Sequence, residues 1–227
     1  MSDQVRLTIN RNINRARQTD LERLNSTPTG WVVDALGRKG ALPHWIGPVS
    51  TSTRFVGSAL TVSTRPLDNL APYAALKFAR PGDVLVVAVD EDQTASVMGD
   101  VLIGMAKNAG IVGVVTDGLV RDVKGINEVG IPVFARALSP NSPFKDGPGK
   151  VGHPVVLGGE TINAGDIIVG DEDGVVVIPS TLTADVIHSL TAIEEKELKM
   201  EKAVTDGDTY PGWLDEFLAS DQVIYTD

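Results

Sequence analysis

Two short runs carry residue types that could bind and polarise a small anion. The first is Met98-Gly99-Asp100-Val101-Leu102, and the second, Arg121-Asp122, follows Asp100 after twenty residues. A helix beginning near Asp100 leaves the N–H groups of Asp100, Val101 and Leu102 without helical acceptors. Those donors sit at the positive end of the helix dipole and suit a carboxylate or a phosphate. Gly99, lacking a side chain, lets such an anion approach the backbone. Arg121 can hold a carboxylate through two parallel hydrogen bonds, while Asp122 offers oxygen to a hard divalent cation. Plainer readings of the same residues stand open beside these: Gly99-Asp100 as a helix cap, Arg121 as a surface side chain, and Asp122 as the cap of the following helix.

Other chemistries find less support. His44, His153 and His188 have no paired spacing, which disfavours a histidine metal site or a Ser-His-Asp triad. No G-x-S-x-G, Walker or G-x-G-x-x-G string occurs. Lys107 and Lys150 are the lysines to weigh as Schiff-base nucleophiles, but Lys107 falls on a helical pattern and reads as solvated. The run Glu194-Glu195-Lys196-Glu197 reads as an exposed helix face. With no cysteine there is no thiolate and no disulfide, so any metal must be held by oxygen or imidazole.

The elements that must position these residues read as a layered α/β fold. Residues 55–64 alternate as a strand, and 81–90 are apolar on both faces, as expected inside a sheet. Met98, Val101, Leu102, Met105, Ala106 and Ala109 then recur at helical steps up to Gly110. A buried strand at 111–116, an Asp117-Gly118 turn, a short helix at 123–129 stopped by Gly130 and a strand at 132–135 follow. Arg121 and Asp122 thus lie beyond a strand end, where open α/β sheets place ligands. Residues 163–179 read as a hairpin turning at Glu172-Asp173-Gly174. A short helix is expected to be capped near Thr29 and ended by Gly37 or Gly40, and another to run over about 183–203; the spacing of Leu7, Ile13, Ala16, Leu21 and Leu24 suggests a loosely helical arm.

With 227 residues, 42% of them hydrophobic, the chain suffices for one large domain with terminal extensions. The expected division is an N-terminal arm at 1–26, an α/β domain at 27–203 and a tail at 204–227. The tail's Trp213, Phe217 and Tyr225, in an acidic setting, suggest docking on a neighbouring subunit. Twenty basic against thirty acidic side chains give a formal net charge of -10, which repels polyanions, so neither nucleic acid nor an anionic membrane is an expected partner. No apolar run approaches the roughly 20 residues of a transmembrane helix, and residues 1–25 lack the apolar centre of a signal peptide; a cytoplasmic location is the expectation.

Across residues 27–200, in order, the chain carries Asp34-Ala35-Leu36-Gly37, Gly57-x-Ala59-x-Thr61-Val62, Pro81-Gly82-Asp83 and Gly99-Asp100. After these come Gly113-x-Val115-x-Asp117-Gly118-x-x-Arg121-Asp122, Pro132-Val133-Phe134-Ala135 and Gly158-Gly159. The last stretch is Gly165-Asp166-x-x-x-Gly170-Asp171-x-Asp173-Gly174-Val175-x-Val177-x-Pro179. This combination resembles the family of 4-hydroxy-4-methyl-2-oxoglutarate aldolases and regulators of ribonuclease activity A.

The resemblance implies an α-β-β-α sandwich with a mixed sheet, assembling as a homotrimer or hexamer with sites between subunits. It implies a metal-dependent pyruvate aldolase that cleaves a 4-hydroxy-2-oxo acid and decarboxylates oxaloacetate as a side reaction. In that family's pattern Asp122 anchors Mg²⁺ or Mn²⁺, largely through water, and Arg121 contacts the substrate. The amides of Val101 and Leu102, following Gly99, receive the pyruvyl carboxylate, and Asp100 lies by a water used in proton transfer. Asp34 and Glu197 are further candidate acids, Glu197 reaching into a neighbouring subunit's site. Some relatives instead inhibit ribonuclease E without a catalytic metal, which is the alternative reading. A methyltransferase would be expected to show a glycine-rich nucleotide loop after its first strand, and this sequence shows none.

Overall fold

The computed structural model describes residues 5–90 and 94–226; residues 1–4 of the expected arm and 227 of the expected tail lie outside these. From the N-terminus, β1 (Leu7–Ile9), α1 (Gln18–Leu24) and α2 (Thr29–Ala35) precede the two-residue β2 (Gly47–Pro48). Strands then alternate with helices: β3 (Phe55–Thr64), α3 (Leu70–Ala75), β4 (Asp83–Ala88), β5 (Ser96–Met98), α4 (Asp100–Asn108) and β6 (Gly113–Thr116). This part continues through β7 (Leu119–Val120), α5 (Val123–Val129), β8 (Val133–Ala135) and β9 (Ala137–Leu138). The remainder supplies β10 (Gly149–Val151), β11 (Val155–Leu157), β12 (Glu160–Ile162), β13 (Ile167–Asp171), β14 (Gly174–Ile178), α6 (Thr183–Asp206) and α7 (Trp213–Leu218).

Nine strands form the main sheet, in the order β1-β10-β3-β4-β6-β8-β2, with β13 and β14 attached along the rest of β3. The pairs β3–β4, β4–β6 and β6–β8 are parallel, as helical crossovers require, whereas β10 and β13 join β3 antiparallel. The sheet is therefore mixed, as expected. Its two faces are drawn from alternate residues of the same strands. Leu60, Val62, Leu85, Val87, Val114, Val133 and Ala135 pack with buried residues of α3, α4 and α5. Their neighbours Ala59, Val84, Val86, Val115 and Phe134 face the β11–β12 hairpin. Helices α1, α2 and α6 cover the β13–β14 extension through Leu24, Val32, Val186 and Leu190. Each fully buried Leu, Ile or Val contributes roughly 1.5–3 kcal/mol.

Two readings of local structure change. The loose helical spacing of the arm is helix only over Gln18–Leu24, because Leu7–Ile9 pairs in parallel with β10 and Leu7 and Ile9 pack against the core. Helix α2 does begin at Thr29, but its side-chain acceptor is remote: Asp171 accepts both the Thr29 N–H at 2.8 Å and the Thr29 hydroxyl at 2.7 Å. Among the described residues no helix is long and apolar enough to cross a membrane.

Candidate active site

The short strands β5, β7 and β9 form a second, all-parallel sheet beside the helices. Their pairing decides the geometry of the site. Ser96 lies opposite Leu119 and Met98 opposite Val120, and the Arg121 N–H donates to the Met98 carbonyl at 3.1 Å. The residues leaving β5, Gly99 and Asp100, are thereby set against those leaving β7, Arg121 and Asp122. Strand β9 adds the next edge, and the Ser139 N–H donates to the Val120 carbonyl at 2.9 Å. The chain after β9 then passes the same ends, bringing Ser142 and Lys145 to them.

Helix α4 starts at Asp100 because Gly99 adopts an extended backbone and the first helical bond runs from the Ile103 N–H to the Gly99 carbonyl. Buried Leu102, Ile103 and Ala106 anchor the helix on the core. Of the helix-end donors, the Val101 N–H is taken by the Asp100 carboxylate at 2.7 Å, so that amide is not free as expected from the sequence. The amides of Asp100 and Leu102 precede the first helical bond and point out of the helix end. Asp100 is half-buried, and its second oxygen rests on α5 where Gly125 stands: a Cβ on Gly125 would come within 2.3 Å of it.

Asp122 carries φ 61° and ψ 42°, a left-handed conformation that aspartate tolerates better than most residues. This bend turns its carboxylate back over Gly99, where a Cβ would lie 2.5 Å from Asp122 Oδ2 and 3.0 Å from Arg121 Cγ. The Arg121 Nε donates to Asp122 Oδ2 at 3.1 Å, and its Nη1 donates to the Ser142 hydroxyl. Asp122 Oδ1 has no hydrogen bond among the described residues.

Gly99, Asp100, Val101, Leu102, Arg121 and Asp122 line one cleft of about 180 Å³. Asp34 and Glu197 do not join them. They face each other across a separate cavity of about 470 Å³ between α2 and α6, with Gly37 and Arg38. No group of three or more His, Cys, Asp or Glu side chains that could hold a metal forms among the described residues. The cleft instead offers the carboxylates of Asp100 and Asp122. That donor set fits Mg²⁺ or Mn²⁺, hard cations bound through one or two carboxylates while keeping water and substrate oxygens.

Sequence reasoning missed Asn69, Tyr73, Ser142 and Lys145, which line the same cleft. They come from the start of α3 and the loop after β9, and no spacing links them to the motif residues. Asn69 is 5% exposed and its Oδ1 has no partner. A buried acceptor left this way costs about 1–3 kcal/mol until something donates to it.

The family model described as RraA-like, Aldolase/RraA, matches residues 29–177. A protein of Halalkalibacterium halodurans provisionally named 4-hydroxy-4-methyl-2-oxoglutarate aldolase is 36% identical over 186 residues, 82% of this chain and 89% of its own length. An uncharacterised Pseudomonas syringae protein of known structure superposes with TM-score 0.77 at 31% identity, covering 86% of this chain and 96% of its own. The RNA-processing inhibitor RraA from Thermus thermophilis superposes with TM-score 0.61 at 30% identity, over 73% of this chain and 94% of its own. Matched through both of the runs that meet in the cleft, this chain belongs to the RraA-like, Aldolase/RraA family.

Proposed function

We propose that the chain is a divalent-metal-dependent pyruvate aldolase that cleaves a 4-hydroxy-2-oxo acid, such as 4-hydroxy-4-methyl-2-oxoglutarate, to pyruvate and a second carbonyl product. The observation that carries this reading is the β5–β7 pairing, which sets a helix N-terminus, Arg121 and two carboxylates in one cleft. A Mg²⁺ or Mn²⁺ held at Asp122 supplies Lewis-acid stabilisation of negative charge developing on the 2-oxo group. The chain's own groups do the rest. The substrate carboxylate lies at the α4 N-terminus, where the Leu102 amide and the helix dipole favour it. Arg121, held by Ser142, balances the remaining charge near the keto oxygen.

The proton of the 4-hydroxyl passes through a water to the Asp100 carboxylate, which later returns it to C3 by the same route. The C3–C4 bond then breaks, its electron pair passing to C3 to give the enolate of pyruvate, and C4 becomes the carbonyl of the second product. Protonation at C3 completes pyruvate. Oxaloacetate losing carbon dioxide reaches the same enolate, so its decarboxylation is an expected side activity. Asp34 and Glu197, brought together away from the cleft, complete it from the neighbouring subunit of a homotrimer or hexamer in this reading.

Asp122→Asn tests the proposal, because asparagine keeps the left-handed backbone while removing the charge. Metal-dependent pyruvate release should fall by about 100-fold or more, with the melting temperature little changed, since several kcal/mol of charge stabilisation depend on that oxygen. Near-normal turnover in this variant sinks the reading. Likeness to the Thermus inhibitor supports a second one, a ribonuclease E inhibitor, which predicts tight binding of that ribonuclease in the presence of chelator.

A further inference from the structure

The last part of the chain carries apolar surface that nothing in the subunit covers. Helix α6 buries no residue after Leu190, and α7 buries none at all. Trp213 and Phe217, one turn apart on α7, are 64% and 45% exposed, and Ile224 and Tyr225 beyond them are more exposed still. A six-residue helix is too short to hold itself in water, so α7 draws its packing from outside this chain. Its direction is nonetheless set. Gly207 ends α6 in a left-handed conformation, the Asp208 N–H donates to the Ala203 carbonyl at 3.0 Å, and Tyr210 and Pro211 share a pocket with Met200 and Val204.

A matching surface lies elsewhere on the same molecule. Val101, Met105, Leu138 and Phe144 are large apolar side chains about half or more exposed, and all four border the β5–β7 cleft. Val101 lines it, and Met105 follows one turn later on α4. Leu138 lines an adjoining pocket with Arg121 and Asp122, while Phe144 sits in the loop between Pro143 and Lys145 of the cleft wall. The charges correspond too. After Lys202 the sequence has no Lys or Arg but carries Asp208, Asp215, Glu216 and Asp221. On the rim, Lys124 and Lys145 have no carboxylate partner among the described residues. At roughly 150–250 Å² per aromatic side chain, the exposed parts of Tyr210, Trp213, Phe217, Ile224 and Tyr225 come to several hundred Å², about one partner's share of a standard interface.

We infer that residues 204–225 of a second copy of this chain dock on the rim made by Val101, Met105, Leu138 and Phe144 and cover the cleft of their neighbour. Trp213 and Phe217 supply the apolar anchor, and the acidic residues around them face Lys124 and Lys145. Excluding water there strengthens the hold of Arg121 and the α4 N-terminus on a substrate anion. That consequence rests on the aldolase reading; the docking itself does not.

The chain has no cysteine, so thiols can be placed at chosen positions alone. The test treats the full-length Leu138→Cys/Phe217→Cys protein with a short bis-maleimide and separates the products on a denaturing gel. Covalent dimers and larger multiples should form in the double variant and in neither single one. Adding Trp213→Asp should lower their yield about tenfold or more, as expected for loss of a buried aromatic anchor. Dimers from Phe217→Cys alone, or a cross-link confined to single chains, would place the segment elsewhere and overturn the inference. So would a yield no greater than that of Val156→Cys/Phe217→Cys, whose first thiol lies on the β11–β12 hairpin at the other face of the sheet. A pyruvate assay on the wild-type protein separates the two claims. Cross-linked dimers from a protein that releases no pyruvate uphold the docking and refute the aldolase reading, whereas pyruvate release with no cross-linked dimers refutes the docking alone.

Discussion

At the scale of single residues, the cleft depends on what Gly99 lacks. Any side chain there meets the Asp122 carboxylate and the Arg121 stem, at 2.5 Å and 3.0 Å for the first carbon alone. Its φ of -141° is extended backbone that alanine adopts without strain. Gly99→Ala should therefore fold with a melting temperature close to wild type while kcat/KM for pyruvate release falls by about 100-fold, the usual cost of misplacing reacting groups by about 1 Å. Calorimetry beside a pyruvate assay separates the two effects, and full activity in this variant would show that Asp122 need not lie over Gly99. Gly125 has the matching role towards Asp100. Alanine there favours helix α5 by about 0.8–1 kcal/mol over glycine, yet its Cβ would come within 2.3 Å of the Asp100 carboxylate. The same Cβ would lie 2.7 Å from the Asp100 Cβ, which is tied to the α4 backbone, so α4 and α5 must shift apart. Gly125→Ala should lose about 1–3 kcal/mol in urea denaturation despite the helix gain and be at least about tenfold slower in kcat, since proton-transfer groups act over a narrow range of positions.

Among the elements, α2 shows how a remote residue holds a helix. Asp171, at the end of β13, accepts two hydrogen bonds from Thr29 and lies 3.6 Å from the Arg54 guanidinium. Burial lowers the pKa of Arg54, and the charge of Asp171 opposes that shift, so the carboxylate both caps α2 and offsets a half-buried cation. Asp171→Ala removes both, and the folding free energy measured in urea should drop by about 2 kcal/mol or more. A loss below about 0.5 kcal/mol, the scale of an ordinary surface change, would contradict this assignment.

The same scale explains what was legible in the sequence. Periodicity marked residues 55–64, where β3 lies, as well as α4, the 123–129 helix and the β13–β14 hairpin, since each is long enough to show a period or ends in a turn that only a few residues fit. Strands β5, β7 and β9, of two or three residues, show no period, and their pairing is a tertiary event. Gly99-Asp100 and Arg121-Asp122 could thus be read as two suggestive runs, while their meeting in one cleft could not. Nor could the loop carrying Ser142 and Lys145, which reaches the cleft only because β9 pairs with β7. The Asp171 cap of α2, 142 residues from Thr29, lies beyond any local signal for the same reason.

For the whole molecule, the chain holds two clefts that do not meet: one with Arg121 and Asp122, the other with Asp34 and Glu197. Helix α6 buries only Thr183, Val186 and Leu190, so its later turns, with Glu197, and the exposed Trp213 and Phe217 beyond them are free to meet another copy. If neighbouring subunits bring the two clefts together, Glu197→Gln and Asp122→Asn should each be nearly inactive alone, while coexpressing them should restore part of the activity in mixed oligomers. No recovery in demonstrably mixed oligomers would place Glu197 outside the active site. The most direct measurement of the central claim follows pyruvate released from 4-hydroxy-4-methyl-2-oxoglutarate and from oxaloacetate by the wild-type protein, with Mg²⁺ or Mn²⁺ and then with chelator. Pyruvate from both substrates, appearing with metal and lost with chelator, is the predicted result. A folded, metal-loaded protein that releases none from either, or releases it equally well in chelator, would contradict the account.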